Sequence, residues 1–397
     1  MPKSRARSSP PPTCQIDVQL MNSTAYPSSS ADSGKLEKTH LRLGFVALSD
    51  AAPLVAAKLL EFGHAHGLTI ELLKQPSWAA IRDKLISGDL DAAHSLYGLV
   101  YGVQLGLGGP QTDMAVLMVL NRNGQAITVS NRLAAALDEH KTLPAALATL
   151  GRKPVFAQTF PTGTHAMWLY YWLASQGVHP LRDIESVVIP PPQMVDALEQ
   201  DRLDGLCAGE PWNAVAQERG VGRTIAYTSE VWPDHPEKVL ASRRDFVTRY
   251  PNTARALVQT MLEACRWLDD DEHRGEIARR LADAAFLGVS VDSIASRLIA
   301  GGSASAVKFF AGGAVNFPHP AEGAWFFSQY ARWGMAEWRD DFARIACEVN
   351  QTDLYRLAAD NVGVAVFDGA PSVRLIDGQV WNGIADRGYL QGFSVRG

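Results

Sequence analysis

Long apolar runs, paired cysteines and a dominant charge of one sign are all missing from this sequence. No stretch approaches about 18 consecutive apolar residues, so the sequence predicts no membrane-spanning helix. The four cysteines, Cys14, Cys207, Cys265 and Cys347, lie far apart and form no CxxC pair. That spacing supports neither a disulfide framework nor a structural zinc site, and they read as free thiols. Lys and Arg number 37 against 42 Asp and Glu, a net charge of -5. So even a balance gives no global electrostatic footprint for nucleic acid. Catalytic signatures are scarce as well: GxSxG, HExxH, the P-loop and GxGxxG do not occur. His64 and His66 sit together in GHAHG, but no carboxylate stands at metal-ligand spacing, so they read as a solvated helix end. An enzyme is therefore not expected, and no cofactor or metal is.

What is present starts with length. At about 150 residues per domain, 397 residues predict two or three domains. Residues 1–39, opening MPKSRARSSPPPTCQ, have the Pro and Ser composition of a disordered tail. A secretory signal needs an apolar core of about 7–15 residues after its positive charges. Here Pro10, Pro11 and Pro12 follow instead, Arg5 and Arg7 are not adjacent, and no apolar run precedes Cys14. The expectation is a cytoplasmic protein, or a periplasmic one if the true start lies upstream.

From His40 the pattern alternates. LRLGFVALSD (41–50) reads as a strand and turn, 51–67 as a helix stopped by Gly67, LTIELLKQ (68–75) as a strand, Trp78–Gly88 as a helix and Asp91–Leu96 as a short strand. A similar unit follows: strand 153–160, helix Thr164–Ser175, strand 186–192, then helix, turn, strand and loop over 194–212. Residues 245–300 read as helical, and 373–380 as a hairpin around Asp377-Gly378. Such alternation predicts an α/β fold of two lobes with a cleft between them. Lobe 1 is discontinuous, 40–125 and 243–397; lobe 2 is 126–242.

Four stretches put polar or aromatic residues where open α/β sheets hold ligands, at strand ends. They are PSWAAIRDKLISGDLDAAH (76–94), NRNGQAITVS (121–130, read as one strand), TFPTGTHAMWLYYWL (159–173), and CAGEPWN (207–213) with WPDHPEKVL (232–240, read as a loop). His165 falls in the first turn of a helix, where unpaired N–H groups favour an anion. Taken singly, Trp78 reads as core, Gln125 as an edge residue, His165 as a cap and Lys238 as a surface charge. Only their joint occurrence points to a site.

In their order, GDLDAAH, GQAITVS, FPTGTHAMWLYYWL, IPPPQMV, CAGEPWN and HPEKVL resemble the nitrate-binding solute-binding proteins of ABC transporters, and more distantly their bicarbonate-binding cousins. The resemblance covers about residues 41–380. It implies a periplasmic-binding-protein-like fold of type II, with two α/β lobes joined by crossover strands and an anion in the cleft. It also implies that nitrate, or nitrite, is held by Trp78, Gln125, His165 and Lys238, with Gly163, Thr164, Glu210 and Pro211 lining the same site. Nitrate has three acceptor oxygens and no proton to give, which suits a lysine, an imidazole and an amide. Bicarbonate carries an O–H and asks for an acceptor. The bicarbonate-binding relatives are taken to place a carboxylate where Lys238 stands and to recruit a metal, so the expectation here is nitrate. Joined to the missing export signal, the resemblance narrows to the cytoplasmic NasS-type nitrate sensors. These release an RNA-binding antiterminator of the ANTAR class when nitrate binds. The alternative is the substrate-binding subunit of a nitrate or nitrite ABC transporter. Neither direct nucleic-acid contact nor membrane contact is expected.

Overall fold

The computed structural model describes residues 34–299, 305–369 and 371–396. The fold is that of one compact unit, Leu36–Gly397. The expected Pro/Ser tail lies outside the described residues as far as Ser33. The chain is already tied down before His40, because the Glu37 carboxylate accepts hydrogen bonds from the backbone N–H of Asn252 (3.2 Å) and Thr253 (2.9 Å) at the start of the helix Pro251–Trp267. Those amides have no partner within their own helix, and an acid there also complements the helix dipole. Among the described residues, no helix is long and apolar enough to cross a membrane.

Two five-stranded sheets carry the fold. Their strands are, in chain order, β1 (His40–Val46), β2 (Thr69–Gln75), β3 (Ala92–Leu96), β4 (Met114–Arg122), β5 (Gln125–Ser130), β6 (Val155–Gln158), β7 (Glu185–Val188), β8 (Gly205–Gly209), β9 (Gly222–Tyr227) and β10 (Pro236–Arg243). The first sheet runs β2-β1-β3-β10-β4 and the second β7-β6-β8-β5-β9. Pairing is parallel for β1–β2, β1–β3, β6–β7 and β6–β8. The antiparallel intruder in each sheet is the strand that has just crossed over: β10 lies between β3 and β4, and β5 between β8 and β9. This is the expected type II arrangement, two lobes joined by two crossings. β4 is buried from Met114 to Asn121 (MAVLMVLN), the continuous apolar run of a strand covered on both faces.

Two expectations need correcting. NRNGQAITVS is not one strand. It breaks at Asn123 and Gly124, with φ of 57° and 90°, and β4 and β5 belong to different sheets. Consecutive left-handed residues are tolerated at an Asn-Gly pair and turn the chain from one lobe into the other. The second crossing lies against it, with the Asn123 N–H bonded to the His235 carbonyl at 3.1 Å. HPEKVL is not a loop after a strand: Pro236, Glu237 and Lys238 open β10, a central strand. A Pro and two charges read as loop because a central strand cannot hide unpaired charge; here the charges are paired inside the fold.

Local signals place the helices that matter. Ser77 accepts from the Ala80 N–H at 3.2 Å and starts the helix Trp78–Ser87, which stops at Gly88 with φ 81°. The helix Thr164–Ser175 is buried from Thr164 to Ala174, so its apolar residues cannot be sorted into one face. The helix Pro320–Arg332 packs on it, with Trp325 stacked on Trp168 at 4.9 Å. The chain then returns to lobe 1, where Asn350 bridges to Val116. Finally the hairpin β11 (Val373–Arg374) and β12 (Val380–Trp381) comes back to lobe 2. There Ile376 N–H bonds the Val231 carbonyl at 3.0 Å and Tyr171 donates to Asp377 at 2.9 Å. The hairpin expected around Asp377-Gly378 is therefore present, and residues 371–396 pack against helix Thr164–Ser175. Cys207 and Cys265 are buried free thiols.

Candidate functional site

The centre of the site is a lysine that no solvent reaches. Lys238 is 0% exposed, and its ammonium touches two carboxylates: Asp50 at 2.8 Å and Glu237 at 2.9 Å. Asp50 comes from the turn after β1 and Glu237 from β10 itself. Burying a charge without a partner is prohibitive, and each of these three is tolerable only because of the others.

Both carboxylates are saturated with donors. On Asp50, one oxygen accepts from His94 Nε2 at 2.8 Å, and the other from Gln125 Nε2 at 3.0 Å and from Lys238. On Glu237, one oxygen accepts from the Thr164 hydroxyl and Lys238, and the other from Trp168 Nε1 at 2.7 Å. His94 is on β3 and Gln125 opens β5, whereas Thr164 and Trp168 sit on the first turns of a lobe 2 helix. The cluster therefore ties together the end of β1, the crossing strands and the helix of the opposite lobe.

Around this saturated core lie buried polar atoms without a partner: Trp78 Nε1, His165 Nε2 and Gln125 Oε1. Each such atom costs about 1–3 kcal/mol. Trp78 presents its ring to Lys238 Nζ at 5.6 Å. His165 Nδ1 is engaged with the Thr159 hydroxyl at 2.7 Å, which leaves Nε2 facing Glu237 Oε1 at 3.5 Å. The Gln125 amide shares Asp50 with Lys238 and has its other end free. Lysine, imidazole and indole can donate to an anion, whereas the free end of Gln125 is a carbonyl oxygen that accepts.

Burial sets the protonation states. It opposes the Asp50 charge, but Lys238 and His94 outweigh it and hold that carboxyl below its usual range. Burial lowers the pKa of His94, drives that of His165 well down with help from Lys238, and pushes that of His235 to about 3. All three imidazoles are neutral at pH 7. The Glu237 carboxyl is pushed up by burial. Lys238 stays charged, because Asp50 and Glu237 overcome its own desolvation.

The lobes are closed over this cluster. The Ser49 N–H bonds the Glu210 carbonyl at 2.7 Å, and Trp212 Nε1 bonds the Ala47 carbonyl at 2.8 Å. The Tyr330 hydroxyl lies within hydrogen-bond distance of the carbonyls of Gly98 (2.5 Å) and Thr162 (2.7 Å), one on each lobe. A Cβ on Gly98 would stand 2.4 Å from the Thr162 carbonyl, so only glycine permits this approach. The cationic hollow lined by Lys38, Arg42 and Arg243 sits at the far ends of β1 and β3, and its charges pair with Asp91 and Asp245.

A two-lobed fold with a lysine and orphaned donors shut between the lobes is the setting in which the relatives of this chain become informative. Residues 34–282 match the NMT1-like family. The chain belongs to that family. Among curated relatives, it is 35% identical to the nitrate/nitrite binding protein NrtA of Nostoc, over 85% of this chain and 80% of that one. It is 38% identical to the nitrate import ATP-binding protein NrtC of Synechocystis over 91% of its own length, but spans only 56% of that protein. The bicarbonate transport ATP-binding protein CmpC of Synechococcus elongatus follows at 34% identity over 91% of this chain and 56% of that one. In structure it resembles the periplasmic nitrate-binding protein NrtA from Synechocystis, with TM-score 0.84 and 32% identity over 91% of this chain and all of that one. This NMT1-like chain is thus homologous to nitrate-binding solute-binding proteins of ABC transporters.

Within this NMT1-like fold, Trp78, Gln125, Thr164, His165 and Lys238 come together at one cluster. Gly163 packs beside it, an added Cβ meeting Leu96 at 2.5 Å. The Glu210 side chain does not join them. Its carboxylate turns to the Ala214 N–H at 3.1 Å and to Arg297 at 3.4 Å, and only its backbone carbonyl serves the site, by holding Ser49 beside Asp50. Pro211 precedes the helix Trp212–Glu218 and is a backbone neighbour only. Sequence reasoning missed Asp50, Glu237 and Trp168 as members. An acid that directly follows an apolar strand and precedes an apolar helix, as Asp50 does, was the available signal. Among the described residues, no group of three or more His, Cys, Asp and Glu is arranged to hold a metal.

Proposed function

We propose that this chain is a solute-binding protein for a planar, proton-free oxyanion of the nitrate or nitrite kind, working with an ABC importer. The observation that carries the reading is Lys238. It is wholly buried between the lobes, and its neighbours Trp78 Nε1 and His165 Nε2 lack partners. Nitrate in that position takes the Lys238 ammonium and the directed N–H groups, and lies against the indole. In a closed, water-poor cleft such charge-assisted hydrogen bonds are stronger than on a surface.

Nitrate, which only accepts hydrogen bonds, suits the Lys238 ammonium and the unpartnered N–H groups of Trp78 and His165. A bicarbonate O–H would also call on an acceptor such as Gln125 Oε1, so bicarbonate is the competing ligand in the test. Closure of the lobes over the anion is the step that a permease would read, because it joins surfaces of both lobes.

The finer expectation, a cytoplasmic sensor that releases an ANTAR-type antiterminator, leans on the amino-terminal segment. That segment lies outside the described residues as far as Ser33, whereas the named relatives are nitrate/nitrite-binding, nitrate-import and bicarbonate-transport proteins. The NrtA of Synechocystis is a periplasmic nitrate-binding protein. Solute delivery outside the cytoplasm is therefore the preferred reading. Calorimetric titration of the purified protein with nitrate, nitrite and bicarbonate tests it. The expected result is one-to-one binding of nitrate or nitrite, lost in Lys238→Ala. Binding of bicarbonate with none of nitrate or nitrite overturns it.

A further inference from the structure

The charges of the cluster do not suit an arriving anion, and their sum leads to a further inference that rests on the oxyanion reading above. Lys238 contributes one positive charge, and Asp50 and Glu237 lie 2.8 and 2.9 Å from it as two carboxylates. Among the described residues no other lysine or arginine touches the three. The groups that face Glu237 are Lys238 and His235 on its own strand, His165 from the lobe 2 helix, Asp50 from the β1 turn with His94 behind it, and Cys207 on β8. With neutral imidazoles and a protonated thiol, the site carries one net negative charge whenever Glu237 is ionised. A second anion placed a few ångströms away in a closed cleft meets strong repulsion, because nothing there screens it.

We propose that the anion enters together with one proton, held by the His165–Glu237 pair. The geometry provides the place. His165 Nε2 is buried, without a hydrogen-bond partner, and 3.5 Å from Glu237 Oε1. A proton from solvent added to this pair lies between an imidazole nitrogen and a carboxylate oxygen. It cancels the excess negative charge beside the arriving anion. The proton belongs to the pair, since two groups so close titrate as one unit. Burial already pushes the Glu237 carboxyl upward, so the added cost of protonating it is reduced. The neighbouring anion raises the proton affinity further, and by linkage the proton raises the anion affinity by the same factor.

The sign follows directly. Uptake of a proton on binding means that affinity rises as pH falls, tenfold per pH unit while the free pair is unprotonated and the bound pair protonated. Nitrate itself does not titrate there, so the dependence belongs to the protein. The test is titration calorimetry of the full chain with sodium nitrate at pH 8, in phosphate and in Tris, whose ionisation enthalpies differ. The expected result is about one proton taken up per nitrate in the wild type, and close to none in Glu237→Gln. A second measurement needs no variant: the nitrate Kd of the wild type should rise about tenfold from pH 7.5 to pH 8.5. Nitrate binding with no buffer dependence and a flat Kd overturns this inference alone. No binding of nitrate or nitrite at any pH overturns the oxyanion reading and this inference with it.

Discussion

Replacing Lys238 by methionine removes the shared cation while keeping most of the aliphatic stem, and the structure fixes how large the loss should be. Two buried carboxylates, Asp50 and Glu237, then stand close together without the ammonium that each now touches at 2.8 and 2.9 Å. Breaking a buried pair by removing one partner costs about 3–5 kcal/mol. The carboxyls can escape by taking up protons, which costs about 1.4 kcal/mol for each pH unit above the ordinary pKa. From ordinary values of 4.5 for Glu237 and 3.8 for Asp50, that escape costs about 3 and about 4 kcal/mol at pH 7. At pH 5 it costs only about 1 and about 2 kcal/mol. In the wild type Asp50 is held below its usual range, so its stabilising contribution is present above that range and is lost as pH falls through it. In Lys238→Met the chief cause of that lowering is gone. The deficit should therefore be about 4 kcal/mol at pH 7, out of a total stability of about 5–15, and should shrink below about 2 kcal/mol at pH 5. Urea unfolding followed by circular dichroism at the two pH values measures both. A deficit under about 1 kcal/mol at pH 7, or one that does not change with pH, refutes the buried-triad reasoning.

Other consequences are checked as readily. Burial pushes the Glu210 carboxyl from 4.5 up to about 7, so its ionised form weighs against the fold as pH rises from 4.5 through 7. Glu210→Gln should raise the stability by about 1–3 kcal/mol at pH 8 and by little at pH 5, read by thermal unfolding. Gly98→Ala sets a methyl against the Thr162 carbonyl of the opposite lobe. It should weaken nitrate binding more than tenfold in calorimetry while leaving the unfolding midpoint nearly unchanged. Trp168→Phe deletes the indole N–H that Glu237 accepts at 2.7 Å, and hydrogen bonds to charged groups are worth about 1.5–3 kcal/mol. The loss should appear in urea unfolding.

What the sequence disclosed follows from where its signals are local. Most strands and helices up to Leu96, and again from Val155 to Trp212, are marked by apolar periodicity, Ser77 and Gly88, which act within a few residues; the one helix expected over 51–67 instead ends at Leu59, and Gly67 closes a separate 3-10 turn, Phe62–His66. The crossings were harder to read. Gly124-Gln125 looks like an insertion in one strand, because nothing nearby says that β4 and β5 pair with different sheets. Lys238 was legible as a site residue only through the company of Trp78, Gln125 and His165. Its placement in a central strand was not, since a Pro and two charges in a row argue for a loop until their partners are known. Asp50 and Glu237 were invisible as site members for the same reason: an acid is surface by default, and only the fold reveals that Lys238, His94 and Trp168 surround them. Glu210 shows the opposite error. It lies next to the site in sequence, but its side chain points to Arg297.

The claim on which the account stands is that an oxyanion is gripped between the lobes by Lys238 and its unpartnered neighbours. A crystal structure of the protein grown with nitrate tests it most directly. The expected density is a flat triangular anion within hydrogen-bond distance of Lys238 Nζ and His165 Nε2, lying against Trp78. Nitrate found away from that cluster, with Lys238 still bonded only to Asp50 and Glu237, contradicts it.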